Sequence, residues 1–177
     1  MLFTGKGDNG TTKTFGCNQQ RISKSSLVPE ALGALDELNA YLGFVKMKSA
    51  AQPRIQNTLR DMQEILFIIQ AQVAGADKKI GKGVLQQTEK MIHDIEKEIP
   101  PIKGFSIAGG TELSAILDVA RTLARRTERR IVAATEAKAC TLGSETMAYM
   151  NRLSSLLFAL ARLANHLAGV EEENPHY

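Results

Sequence analysis

Apolar residues recur every three or four positions along most of this chain, the spacing that puts side chains on one face of an α-helix. The first such stretch has the four-and-three alternation of a bundle seam, with Ala31, Leu35, Leu38, Leu42 and Val45 as its apolar residues. It is expected to start at Pro29, a favoured first-turn residue, and to be ended by Pro53. Four further stretches with this spacing predict helices over 55–74, 84–99, 112–139 and 145–168.

Glycine and proline separate the predicted helices. Two prolines follow the third helix, and a loop over 103–110 precedes the fourth. Gly143 breaks the chain before the fifth helix, for which Ser144 is the expected N-cap. No strand alternation and no internal repeat is visible. The pattern therefore predicts an all-α protein, a five-helix antiparallel bundle with short connections.

The chain is expected to divide into three parts. Residues 1–26 are rich in Gly, Thr, Ser and Asn without a sustained period, and predict an ordered N-terminal loop. The bundle is expected over 27–170, and a short C-terminal tail over 171–177. A chain of 177 residues is long enough for one core and too short for two typical domains.

Composition excludes several classes of function. A net charge of +3 and only 5% aromatic residues do not favour a nucleic-acid-binding protein. Cys17 and Cys140 form neither a disulfide framework nor a metal-binding spacing, and the three scattered histidines form no ligand cluster. No apolar run predicts a membrane span and no signal peptide is visible, so a cytoplasmic protein is expected.

The charge that does stand out lies in the fourth predicted helix. Five arginines and one glutamate occur in the ten residues from Arg121 to Arg130. Arg121, Arg125 and Glu128 stand at i, i+4 and i+7, so they share one helical face. Guanidinium groups bind phosphate oxygens with two donors at once, and the run therefore suits a small polyanion. A solvated basic stripe with local Arg–Glu pairs explains the run alone equally well.

A second candidate binding segment runs from Thr4 to Lys13. Its glycines, threonines and lysines let backbone N–H groups and hydroxyls approach phosphate oxygens, and Arg21 and Lys24 add positive charge nearby. It is not a Walker A sequence, because the Gly-Lys-Ser/Thr ending and the preceding strand are missing. By composition alone, a mobile N-terminal tail is the more common interpretation.

Two polar sets on the helices have both a structural and a functional interpretation. Asp36 lies one position off the seam of the first helix, where it is either an exposed acid or a partner for an arginine. Asn151, Ser155 and Arg162 follow one stripe of the fifth helix. That stripe is either a hydrogen-bonded interior or a surface that faces a ligand.

Taken together, these segments resemble the PduO-type ATP:cob(I)alamin adenosyltransferases. The resemblance covers nearly the whole chain, in the family's order. It rests on Thr4-x-x-Gly7-Asp8-x-Gly10, Asp36-Glu37-Leu38-Asn39, Phe105 followed by Gly109-Gly110, Arg121-x-x-x-Arg125-Arg126-x-Glu128-Arg129, and Asn151-Arg152-Leu153-Ser154.

The resemblance implies a cobalamin adenosyltransferase-like (ferritin-like) bundle that forms a homotrimer with active sites between subunits. It implies transfer of the 5′-deoxyadenosyl group of ATP to the cobalt of cob(I)alamin, giving adenosylcobalamin and triphosphate. The implied ATP-binding residues are Thr4, Gly5, Lys6, Gly7, Thr12, Lys13, Lys24, Arg125, Arg126, Glu128, Arg129 and Asn151.

Four residues are expected to carry catalysis: Phe105, Asp36, Arg121 and Arg125. By the resemblance, Asp36 pairs with Arg121 across the subunit interface, and Phe105 closes the lower face of the corrin ring and keeps the dimethylbenzimidazole ligand from cobalt. Cobalt supplies the nucleophile, so the protein positions the substrates and stabilises charge on the leaving group. No metal site is expected from the protein itself; Mg²⁺ is expected to bind mainly through ATP, with Glu128 as a candidate ligand. The implied protein partners are a reductase and an adenosylcobalamin-dependent enzyme.

The chain departs from the family pattern at four positions. Gly5 stands where a basic residue is common, Ala108 where a proline is usual, Asp118 in place of a frequent histidine, and Ser155 in place of an aspartate. An ATP-binding bundle with a sensory or cofactor-delivery role and weak turnover is therefore an alternative. A basic protein that uses the fourth helix to bind nucleic acid is a second alternative, which the mild net charge disfavours.

Overall fold

The computed structural model describes residues 2–18, 20–101 and 104–176. Two short strands come first, and five helices follow. The strands are β1 (Thr11–Thr12) and β2 (Ile22–Ser23); the helices are α1 (Leu27–Lys48), α2 (Pro53–Val73), α3 (Val84–Glu98), α4 (Glu112–Glu136) and α5 (Ser144–Leu167).

Successive helices alternate in direction, as the short connections require. α4 packs between α1 and α5, α2 covers the other side of α1, and α3 covers the other side of α5. Two ion pairs show that α1 and α4 run antiparallel: Glu30 contacts Arg130 at 3.6 Å near one end, and Lys48 contacts Glu112 at 2.7 Å near the other. The all-α five-helix bundle predicted from the sequence is confirmed.

The core consists of the residues that the helical spacing selects. All five predicted seam residues of α1 are fully buried, and so are Leu59, Leu66 and Ile69 of α2. α5 is the most enclosed helix, with buried residues around most of its circumference between Leu153 and Asn165. A helix that is buried on nearly every side needs small residues, and alanines supply them at four positions of α5: 159, 161, 164 and 148.

Several predicted helix boundaries are wrong: α1 begins at Leu27 and not at Pro29, and α4 ends at Glu136 and not at Ala139. Pro53 does not end α1, which stops at Lys48, where the N–H of the next residue, Ser49, binds the carbonyls of Val45 and Lys46. Pro53 instead begins α2, because its fixed φ suits a first turn whose N–H has no helical partner. Ser144 is not the N-cap of α5 either: Gly143 occupies that position, and Ser144 is the first helical residue.

The N-terminal loop contains two short strands that the sequence pattern does not predict. β1 and β2 pair antiparallel, with Thr11 opposite Ser23 and Thr12 opposite Ile22. Arg21 reinforces the pair, since its Nε donates to Oγ1 of Thr11 and its Nη2 to the Thr11 carbonyl, both at 2.6 Å. Strands of two residues are too short to produce an alternating sequence pattern, which is why the sequence did not reveal them.

The N-terminal loop is mounted on the end of α2 through its backbone. The N–H of Gly16 donates to the carbonyl of Ala74 at 2.6 Å. Gly75 has a φ of +96°, and a Cβ built on it would lie 2.5 Å from Cα of Gly16. Both glycines are therefore needed for the two backbones to cross this closely.

No helix in the part of the chain that the structure describes is both long and apolar enough to cross a lipid bilayer.

Candidate active site

The arginine run of α4 divides between two grooves. Arg121, Arg125 and Arg129 face the groove between α4 and α5. Arg126 and Arg130 face the opposite groove, between α4 and α1. The division follows from the helical period, because neighbouring residues are rotated by about 100° around the axis.

The first of these, here called the arginine groove, consists of two adjoining cavities that share Arg125. One has a volume of about 380 Å³ and includes Arg121 and Phe158; the other has about 360 Å³ and includes Glu128 and Arg129. The charged, polar and aromatic side chains that line the groove are Glu96, Arg121, Arg125, Glu128, Arg129, Glu136, Asn151, Ser154, Ser155 and Phe158. The structure thus brings together four predicted ATP-binding residues from two helices: Arg125, Glu128, Arg129 and Asn151.

A relay of hydrogen bonds fixes the position of the Glu128 carboxylate in this groove. Asn151 donates from Nδ2 to Oε1 of Glu128 at 3.1 Å and accepts at Oδ1 from Nη1 of Arg152 at 3.0 Å. Arg152 is itself held by α3, since its Nε donates to Oε1 of Glu89 at 2.9 Å. The Asn151 amide therefore has one favoured orientation. The sequence drew attention to Asn151 but not to Glu89, which lies 63 positions from Arg152.

Arg126 is separated from the other predicted nucleotide ligands within one chain. Its Nη2 lies 2.6 Å from Oε2 of Glu37 on α1, and both side chains are about half exposed. Arg130 makes the corresponding, longer contact with Glu30. The role of Arg126 in ATP binding stays a prediction.

The predicted pair between Asp36 and Arg121 concerns two subunits and also stays a prediction. Asp36 is exposed on α1. Within the chain, Nε of Arg121 donates to Oδ1 of Asp118 at 2.9 Å, so Arg121 has a partner on its own helix. An arginine carries five N–H donors, and this bond occupies one of them.

Arg162 is not a surface residue of the polar stripe. Asn151 and Ser155 are exposed, whereas the Arg162 side chain is 3% exposed and lies 2.8 Å from Oδ2 of Asp118. The departure from the family pattern at Asp118 thus has a structural counterpart, a buried ion pair between α4 and α5. The sequence carries a signal of this network, because Ser114, Asp118 and Arg121 follow one helical face of α4. In the structure, Ser114 also accepts a hydrogen bond from Arg162 at 3.2 Å.

Phe105 lies in the described part of the loop that precedes α4, and its side chain is 78% exposed. Asn165 of α5 holds the end of this loop: it accepts from the N–H of Thr111 at 3.0 Å and donates to the carbonyl of Gly109 at 3.0 Å. A Cβ at Gly110, whose φ is +93°, would lie 2.6 Å from Asn165. The Gly109-Gly110 pair therefore allows the loop to approach α5.

The predicted phosphate-binding loop is folded around its own turns. The N–H of Asp8 binds the carbonyl of Gly5, the N–H of Gly10 binds that of Gly7, and the N–H of Lys24 binds that of Gly10 at 2.9 Å. A Cβ on Gly7 would lie 3.1 Å from Nζ of Lys24, so these two predicted residues are neighbours. The loop and Lys24 do not line the arginine groove, whose walls come from α3, α4, α5 and Ile99.

In the described residues, no group of three or more His, Cys, Asp or Glu side chains could hold a metal ion. Glu128 lies between two arginines, and Glu136 lines the same cavity. That arrangement fits Mg²⁺ only as an ion brought by phosphates, because Mg²⁺ commonly combines one or two carboxylates with phosphate oxygens and water.

The sequence model of the cobalamin adenosyltransferases matches residues 2–164, and the chain belongs to this family. It is 39% identical over 169 residues to a corrinoid adenosyltransferase of Citrobacter freundii, covering 92% of the chain and 93% of the relative. It is 32% identical over 176 residues to a corrinoid adenosyltransferase of Bacillus subtilis, covering 96% and 89%.

A solved structure has the same fold. It is a variant of the PduO-type ATP:corrinoid adenosyltransferase from Lactobacillus reuteri, in complex with cobalamin and ATP. The TM-score is 0.89 at 29% identity, over 97% of this chain and 95% of that one. The resemblance inferred from the motifs is confirmed.

Proposed function

We propose that this chain transfers the 5′-deoxyadenosyl group of ATP to cob(I)alamin and releases triphosphate. The observation that carries the proposal is the arginine groove, in which Arg125, Glu128, Arg129 and Asn151 converge from two helices. A row of guanidinium groups with one fixed carboxylate suits a triphosphate and its Mg²⁺ ion. The groove also extends toward the loop that carries Phe105, because Ile99 lines both the groove and the cavity beside that loop.

The reaction requires little covalent chemistry from the protein. An electron pair of Co(I) attacks C5′ of the ribose, the Co–C bond forms, and the C5′–O bond breaks with its electrons passing to triphosphate. Arg125 and Arg129 stabilise the charge that grows on the leaving oxygens, because their guanidinium groups donate hydrogen bonds to it. Mg²⁺, when bound, supplies further charge neutralisation at the phosphates, with Glu128 as its candidate ligand.

Phe105 is proposed to act on the corrinoid rather than on ATP. Its ring is exposed at the edge of the bundle, where it is available to a large flat ligand. By covering the lower face of the corrin it would exclude the dimethylbenzimidazole ligand, and the loss of that donor makes Co(II) easier to reduce to Co(I).

The active site is proposed to form between subunits of a homotrimer. The N-terminal loop is docked at the end of the bundle where α2 ends, and the loop with Phe105 precedes α4 at the other end. The N-terminal loop is mounted on α2, which packs against α1, whereas the arginine groove is lined by α3, α4 and α5, so the loop of one chain does not line its own groove. A neighbouring subunit's loop (Thr4, Gly5, Lys6, Gly7, Thr12, Lys13 and Lys24) would complete the groove, with Asp36 and Arg121 pairing across the interface.

Exposed apolar side chains lie on the two helices that carry Asp36 and Arg121. Phe44 and Met47, on the same helix as Asp36, are 47% and 71% exposed, and Val119 of α4 is 46% exposed. A reductase and an adenosylcobalamin-dependent acceptor enzyme remain proposed partners, and a cytoplasmic location remains a proposal.

A direct assay tests the proposed function. The chain is incubated anaerobically with ATP, Mg²⁺ and chemically reduced cob(I)alamin, and formation of adenosylcobalamin is followed by its absorption spectrum together with release of triphosphate. One triphosphate per adenosylcobalamin is expected. Tight ATP binding without product would favour the alternative, an ATP-binding bundle in a sensory or delivery role.

A further inference from the structure

Arg162 lies at the centre of a charged network that spans four parts of the chain. Its Nη2 donates to Oδ2 of Asp118 at 2.8 Å and to Oγ of Ser114 at 3.2 Å, both on α4. Oδ1 of the same aspartate accepts from Arg121. A guanidinium this deeply buried is tolerated only because carboxylates and hydroxyls surround it.

The other contacts of Arg162 reach outside the helices. Its Nη1 donates to Oγ of Ser106 at 2.5 Å, and its Nε lies 2.5 Å from Oε1 of Glu172. Ser106 directly follows Phe105 in the loop before α4, and Glu172 lies in the segment after α5. One buried side chain thus binds two non-helical segments.

The loop and the C-terminal segment are also bound to each other. The N–H of Ile107 donates to the carbonyl of Glu173 at 2.8 Å. Asn165, one turn beyond Arg162, donates from Nδ2 to Glu172 at 3.0 Å as well as to the loop. The position of the loop therefore depends on α5 and on the segment that follows it.

Phe105 contributes little to its own placement, because its side chain is largely exposed. The residue after it is bound at a buried, charged group, which fixes the backbone from which the ring projects. A buried ion pair is weak evidence for stability, since apolar residues of similar size often serve a core as well or better. Its partners here favour a role in holding a functional loop in place.

We propose that Arg162 is a positioning residue: through Ser106 and Glu172 it holds the Phe105 loop and the C-terminal segment in one arrangement over the corrinoid site. This inference rests on the proposed function of Phe105. It adds that the arrangement is linked to Arg121 through Asp118, so the loop and the arginine groove share one charged network.

The test compares Ser106→Ala and Glu172→Gln with Glu171→Gln. Glu171 is an exposed acid beside Glu172, so the control makes the same change of charge. Neither test variant removes the buried arginine, and both are expected to fold; Arg162→Lys, which keeps the charge but not the fork of donors, is a stronger third variant.

Each variant is assayed with ATP and either cob(II)alamin or cob(II)inamide under reducing conditions, since cobinamide lacks the dimethylbenzimidazole ligand. We expect the two test variants to lose about tenfold in turnover of cobalamin, the effect of about one hydrogen bond. Their turnover of cobinamide and their KM for ATP should each change less than about twofold. The EPR spectrum of cob(II)alamin bound with ATP to either test variant should show less of the form without its lower ligand than the spectrum with the wild-type protein.

Hydrogen exchange gives a readout that does not depend on activity. Glu172→Gln should speed amide exchange in residues 104–110 as well as in its own segment, and Glu171→Gln should not. Equal losses with cobalamin and cobinamide, or wild-type turnover and exchange in both test variants, would overturn the inference. A wild-type chain that makes no adenosylcobalamin would instead overturn the proposed function, while the exchange measurement would still judge whether Arg162 holds the loop.

Discussion

Asn151 donates a hydrogen bond from Nδ2 to Oε1 of Glu128 at 3.1 Å, which joins α5 to the arginine-bearing face of α4. Because Arg152 binds the other end of the same amide, the donor side of Asn151 faces the carboxylate. Glu128 is thereby held between Arg125 and Arg129 in the same groove. The position of this one carboxylate gives the first prediction.

Asn151→Asp should weaken ATP binding. The substitution replaces the N–H donor with a second carboxylate facing Glu128, so the two acids repel each other and compete with phosphate for the arginines. We expect the KM for ATP to rise about tenfold with a smaller change in the KM for corrinoid. Asn57→Asp, an equal change on the exposed side of α2, should leave both values unaltered. An unchanged KM in Asn151→Asp would remove Asn151 from the proposed site.

Arg125→Lys should lower kcat/KM about a hundredfold, the scale of losing one preorganised donor to a growing negative charge. Arg125 lines both cavities of the arginine groove. Arg130→Lys is the matched control, because Arg130 lies in the same helix but faces α1. Steady-state kinetics should show a change below about twofold for the control. Similar losses in both variants would mean that general positive charge, and not the groove, determines the rate.

Phe105→Ala should leave ATP binding nearly intact and sharply lower turnover of Co(II) corrinoid. The ring is proposed to exclude the lower ligand of cobalt and has no proposed contact with ATP. Calorimetry measures the first quantity, and a coupled assay from cob(II)alamin measures the second. Phe67→Ala removes another exposed ring, on α2, and serves as the control. Equal losses of ATP binding and turnover in Phe105→Ala would count against the role.

Asp36→Asn should weaken assembly of the trimer. Asp36 and Glu37 are adjacent acids with different partners, since Glu37 contacts Arg126 of its own chain. Glu37→Gln is therefore a control with the same loss of charge. Sedimentation velocity across a concentration series should show dissociation at higher concentration for Asp36→Asn alone. A wild-type chain that sediments as a monomer at every concentration would contradict the proposed assembly altogether.

Tyr149→Phe should stabilise the protein. The Tyr149 hydroxyl is buried and has no hydrogen-bond partner among the residues that the structure describes. Removing an unsatisfied buried hydroxyl should raise the free energy of unfolding by about 1 kcal/mol at neutral pH. Urea titration measures this change, and a comparable loss of stability would show that the hydroxyl does have a partner.

The same residue should make stability depend on alkaline pH. Burial, with a smaller effect from the charge of Asp61, raises the pKa of Tyr149 above its ordinary value of 10.0. The folded state therefore keeps its proton where the unfolded chain loses it. The contribution of Tyr149 to the free energy of unfolding is therefore constant below pH 10 and becomes less favourable as the pH rises above it, a loss that Tyr149→Phe should not show.

The sequence predicted the bundle well because helical spacing is a local property. Leu35 and Leu66 are buried, as their positions in the repeat of three and four residues predict. The shared face of Arg121, Arg125 and Glu128 follows from the same geometry. Pro53 was assigned to the wrong helix because proline suits both the end of one helix and the start of the next.

The contacts between distant segments could not be predicted in this way. Arg162 and Asp118 lie 44 positions apart, and their pairing depends on how far α4 is shifted along α5. Nothing in a single sequence fixes that shift. The fold brings Arg125 and Arg129 to Asn151 but separates them from Arg126 and from the loop around Gly7, so the division of the motif between two grooves became visible only in three dimensions.

The crossing of Gly16 and Gly75 attaches the N-terminal loop to the bundle at a point outside the segment that is proposed to bind phosphates. The attachment at the crossing uses two backbones and one peptide hydrogen bond, whereas the segment between Thr4 and Lys13 is also held through Thr11, whose Oγ1 accepts from Arg21. An exchange of that segment for the corresponding loop of a relative therefore has to keep the bond between Thr11 and Arg21 but leaves the crossing unchanged. The chain is thus a scaffold on which the proposed phosphate contacts can be varied within ten consecutive residues while the support at Gly16 and Gly75 stays the same.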